Sequence, residues 1–178
     1  MANVKLSIYK VNGQDYEEFI QNFGNIVENT SLCAAAVWAN RPFASFDALY
    51  QSFCTFIDDL PLHGREGILR SHPNLAGRLA KLDALTAESK SEQSQAGLNI
   101  ITLEERETLE KYNSKYREKF GFPFVICARL NNKDTILKEI KARLANSADC
   151  ELKTGINEVK KIMLLRLKDL TECGDAKL

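Results

Sequence analysis

Apolar residues recur at steps of three and four along most of this chain, and that period belongs to a helix face rather than to a strand. In "GQDYEEFIQNFGNIVEN" the set Tyr16, Phe19, Ile20, Phe23 and Ile26 shares one face. "ASFDALYQSFCTFIDDL" repeats the pattern through Phe46, Leu49, Phe53 and Phe56, and "SLCAAAVW" reads as a short apolar helix. "PLHGREGILRS" reads as another, ended at His72–Pro73 because the residue before a proline is pushed out of the α region. Thr86 is a candidate N-cap for the helix that Gly97 stops, and Thr102 with Glu105 has capping-box spacing for a helix closed by Gly121. "FGFPFVICARL" is the exception. Its aromatic and β-branched residues favour an extended backbone, but Pro123 disfavours a central strand and no partner strand is in sight, so a buried extended loop is expected. Helices resume in "KDTILKEIKARLA" and "CELKTGINEVKKIMLLRLKDL". The expectation is an all-α fold of about eight helices in a single domain, residues 1–178.

The 24 basic and 24 acidic residues cancel, and no long like-charge run marks a surface for nucleic acid or membrane. The first residues lack a basic segment followed by a long apolar one, and no stretch approaches the ~18 apolar residues of a membrane span. A soluble, unsecreted protein is expected. Five cysteines, odd in number and never spaced C-x-x-C, read as reduced thiols rather than a disulfide framework or zinc site. With only two histidines a catalytic metal is not expected either, and no Walker A run, dinucleotide fingerprint or nucleophile elbow is present. Any reaction falls to His72 and a carboxylate. The terminal Ala176-Lys177-Leu178 has the small–basic–leucine pattern of a peroxisomal address read by an import receptor.

Three places carry polar groups where the pattern calls for apolar ones. His72, at the shoulder of an apolar helix, suits either a proton-transfer role or a core-edge histidine bonded to a backbone carbonyl. Ser89, Glu92, Gln93 and Ala96 share one helical stripe, which could read a polar ligand or simply face water. Arg166 occupies a position of the apolar stripe Leu152, Ile156, Val159, Met163, Arg166, Leu170. A guanidinium held there must meet an anion, supplied by a substrate or by a buried carboxylate, unless its stem snorkels to water. Because the stripe is otherwise apolar, replacing Arg166 by leucine is expected to cost little stability.

The ordered segments "VWANRPF", "HPNLAG", "LTAESKSEQSQAGL", "YREKFGFPFVICAR" and "EVKKIMLLRL" together resemble the 2-oxo-4-hydroxy-4-carboxy-5-ureidoimidazoline (OHCU) decarboxylase family, over most of the chain. The resemblance implies an all-α homodimer that decarboxylates a small ureidoimidazoline to (S)-allantoin, the last step of urate degradation, without a cofactor. It implies a catalytic histidine at His72, beside a substrate contact at Pro73. A polar binding helix maps onto Ser89, Lys90, Ser91, Glu92 and Gln93, with Glu92 sharing the proton work. Main-chain contacts map onto Phe124, Val125, Ile126, Cys127 and Ala128, and a substrate-binding arginine onto Arg166. The tail strengthens a peroxisomal expectation. From a different class, a non-catalytic helical module that binds a ureide or a partner protein fits the same residues, and a hydrolase using Cys54 or Cys127 with a histidine is a third reading.

Overall fold

Side chains, more than composition, decide where the helices of this chain begin. The computed structural model describes residues 5–75 and 86–173. They form α1 (Ile8–Gly13), α2 (Tyr16–Phe23), α3 (Ser31–Trp38), α4 (Phe46–Asp59), α5 (Leu62–Ser71), α6 (Ala87–Gln95), α7 (Leu103–Phe120), α8 (Lys133–Arg143) and α9 (Ala148–Leu170), with 3-10 turns at Leu98–Ile100 and Ala128–Leu130. The chain is all-α: among the described residues the only β contact is an isolated bridge between Leu6 and Thr171. None of the described helices is long and apolar enough to cross a membrane. The terminal tripeptide and the linking stretch 76–85 lie outside the described residues.

Asp15, Ser45 and Asn132 each accept a backbone N–H three residues on, at 2.8, 3.1 and 2.9 Å, and so start α2, α4 and α8. Thr102 and Glu105 make the reciprocal capping box of α7, and Gly121 ends that helix at a φ of 74°, where a side chain would be strained. Two expectations are corrected. The helix expected to carry Ile26 stops at Phe23, because the Asn25 side chain accepts the Asn29 N–H and Asn29 turns left-handed at φ 50°. Ile26 and Val27 are buried beyond the helix rather than on it. In α4, Ile57 rather than Phe56 takes the fully buried position, a one-residue rotation of the face.

Residue contacts divide the chain into two compact units, Met1–Ile68 with Lys160–Leu178, and Leu69–Val159. In the first, α3 packs against α2 and α4 around Phe19, Phe23, Val37, Leu49, Phe53 and Ile57. Arg41 lays its guanidinium 4.2 Å over the Trp38 ring and donates to the carbonyls of Trp38, Asn12 and Gln14. This fixes the loop that follows α3 to the end of α1. Asn12 secures it further, pairing with both the N–H and the C=O of Phe43 at 2.8 Å.

In the second unit the Tyr116 ring packs against Phe120, Phe122 and Phe124. Its hydroxyl donates to Glu151, which is fully buried and also receives Arg143 and, at 2.7 Å, the Asn146 amide. Burial pushes the Tyr116 phenol up, against the pull of Arg143, so it remains a donor to the carboxylate. One turn before Tyr116, Asn113 is buried with neither amide atom bonded among the described residues. An unbonded buried amide keeps its desolvation cost. Asn113→Leu, of similar volume, is therefore expected to raise stability by about 1–2 kcal/mol in urea unfolding. A loss of stability instead would mean that the amide has a partner outside the described residues.

Candidate active site

The end of α5 is held on both sides of His72. Before it, the Leu69 side chain lies against Gly155 of α9 so closely that a Cβ at 155 would stand 3.0 Å from both leucine methyls. After it, Pro73 prevents the helix from continuing, and the Asn74 side chain accepts Arg117 of α7 at 3.0 Å. The His72 N–H still donates to the Leu69 carbonyl at 3.2 Å. The imidazole between these anchors is only 4 % exposed.

On α6 the expected stripe is visible where it is described: Glu92 and Ala96 are buried, while Glu88, Ser91, Ser94 and Gln95 are exposed. Ser89, Lys90 and Gln93 contribute helical backbone, and their side chains lie outside the described structure. The helix packs against both 3-10 turns, including the one that begins at Ala128. That contact brings Glu92 towards the segment before the turn.

That segment, Phe122 to Ala128, is buried throughout, and Phe122 to Cys127 has no helix or strand pairing. Arg143 donates to the Val125 carbonyl at 2.9 Å, and the Cys127 N–H donates to Glu158 of α9 at 2.8 Å. Burial pushes the Cys127 thiol up to about 11; the Leu130 backbone opposes this, and the negative charges of Glu158 and Glu92 add to it. Both carboxylates therefore lie near the Cys127 side chain, and Glu158 also holds its backbone N–H. Glu158, Glu151 and Arg143 were not singled out in the sequence. Their signal was there in part, since Glu151 and Glu158 stand two turns apart on α9, each next to a residue of its apolar stripe.

Arg166 belongs to the other unit, and its anion is there. It donates to Glu28 at 2.7 Å and to the Asn25 carbonyl at 2.8 Å, and both charged side chains are under 5 % exposed. This pair argues against the expectation that leucine costs little at 166, because the substitution takes a partner from a buried carboxylate. Arg166→Leu should lower stability by about 3–5 kcal/mol in chemical unfolding, and Glu28→Gln should recover part of that loss in the double variant.

Burial works against a nucleophilic role for Cys54 and Cys127. Burial raises Cys33 to about 12 and also raises Cys54, where the Tyr50 hydrogen bond and Lys160 only partly oppose it. A nucleophilic cysteine needs the opposite shift. Iodoacetamide near neutral pH should modify Cys150 and Cys173, which are exposed, and spare Cys33, Cys54 and Cys127, as read by peptide mass spectrometry. Rapid labelling of Cys127 in the folded protein would contradict this.

A helical scaffold thus buries one histidine, His72, and brings the carboxylates Glu92 and Glu158 to a stretch of backbone without helix or strand pairing. The family model described as OHCU decarboxylase matches residues 12–168, and the chain belongs to that family of carboxy-lyases. It is 50 % identical over 168 residues to a 2-oxo-4-hydroxy-4-carboxy-5-ureidoimidazoline decarboxylase of Amia calva, covering 94 % of this chain and 96 % of that one. It is 51 % identical over 165 residues to the protein of the same name from Mus musculus, covering 93 % of each. Among solved structures, an OHCU decarboxylase crystallised in the presence of (S)-allantoin superposes with a TM-score of 0.67 at 25 % identity, covering 84 % of this chain and 96 % of that one.

Proposed function

We propose that this protein decarboxylates OHCU to (S)-allantoin, with His72 and Glu92 moving the protons. The observation that carries the reading is the burial of His72 and Glu92 in a chain half identical to decarboxylases of that name. The substrate can stabilise its own carbanion. Its carboxylate leaves from a carbon beside a ring C=N bond, so the electron pair released with CO2 flows into that bond and needs no external electron sink. The hydroxyl on that carbon then becomes the carbonyl of allantoin, and the carbon bearing the ureido group takes a proton.

Three demands follow: hold the planar ureide, take the hydroxyl proton and deliver a proton to one face. The backbone of Phe124 to Ala128, with Pro73 and the α6 residues Ser89, Lys90, Ser91 and Gln93, serves the first. His72 and Glu92 serve the others, and delivery from one fixed side gives one enantiomer. Arg166 as a substrate contact rests on the resemblance alone, since Glu28 already supplies the anion its burial requires. A raised KM in an Arg166→Lys variant of normal melting temperature would support that contact.

The test is circular dichroism of allantoin formed from urate by urate oxidase and the upstream hydrolase, with and without this protein. Fast appearance of an optically active product is expected, and only slow, racemic product from a folded protein would overturn the reading. His72→Asn should fold normally and lose about 10²–10⁴-fold in kcat/KM, the usual worth of general acid–base help.

A further inference from the structure

Beyond the groups that would touch substrate, one buried carboxylate has no part in the reaction as described. Glu158 sits on α9 among Ile156, Val159 and Ile162, where leucine would satisfy the helix and avoid burying a charge. It accepts the Cys127 N–H at 2.8 Å. Two residues earlier, Arg143 takes the Val125 carbonyl. In an extended chain the polar groups of residues i and i+2 lie along one edge and those of i+1 along the other. Cys127 is extended, at φ −71° and ψ 94°. The two anchors thus occupy one edge of the segment, and the Ile126 N–H and C=O fall on the opposite edge, unbonded among the described residues.

We infer that Glu158 is a positioning residue for the decarboxylation proposed above: by holding the Cys127 N–H it fixes which edge of the 124–128 backbone is presented to the ureide. A donor and an acceptor side by side match the C=O and N–H of a ureido group, but only if the edge does not rotate. Arg143 holds one end of the peptide pair and Glu158 the other. The inference rests on the proposed function, because the edge matters only if a ureide is read there.

The experiment compares Glu158→Ala with Glu158→Gln, which keeps a carbonyl oxygen where the Cys127 N–H needs an acceptor. Steady-state kinetics on OHCU are read alongside hydrogen exchange of the Cys127 amide in the folded proteins. In Glu158→Ala, KM should rise by about tenfold or more with kcat within about threefold of the parent, and the amide should exchange faster. Glu158→Gln should restore both. A folded Glu158→Ala with the parent's KM would overturn the inference, and so would a Glu158→Gln as impaired as the alanine variant, which would make the charge rather than the hydrogen bond the active element. Failure of the underlying reading looks different, since the unmodified protein would then not accelerate OHCU decay at all.

Discussion

The buried face of a helix can carry charge only where another part of the chain has come to neutralise or bond it. Three ionisable side chains of α9 meet that condition: Glu151 bonds to Arg143 and Tyr116, Glu158 to the Cys127 N–H, and Arg166 to Glu28. Each partner comes from a different place in the sequence and is fixed in direction by the bond. Hydrophobic burial holds α9, and these bonds decide in which register its neighbours meet it. The backbone of Val125 to Cys127 is tied through two of them, directly by Glu158 and at one remove by Glu151 through Arg143.

The helices were legible where the signals were local. Thr102 and Gly121 mark ends that a reader of the chain can place, because a cap needs only residues a few positions apart. The break after Phe23 was not, since two asparagines outcompete a continuing apolar face. α1 was also missed: at six residues it is too short to show a period and depends on Ser7 and the packing of Val11.

The same division runs through the site. His72 stands out as a polar group on the shoulder of an apolar helix, and Glu92 only as part of a polar stripe beside Ala96 that could equally have faced water. The partner of Arg166 does not, because Glu28 lies 138 residues away and only the folded chain pairs them. Sequence reasoning could say that the guanidinium needs an anion and could not say that a glutamate, rather than a substrate, already supplies it. Arg143 looked like an ordinary basic residue in the last turn of a helix, where favourable dipole interaction is reason enough.

The contact between Leu69 and Gly155 ties two distant positions to one volume. The turn that carries His72 reaches its place only because residue 155 has no side chain to meet the leucine. A lineage that acquires a methyl at 155 must therefore give up volume at 69, and one that enlarges 69 must keep glycine at 155. The two positions should drift together, and their joint composition would track the placement of the imidazole in any descendant of this chain, even where neither residue comes near a reacting atom.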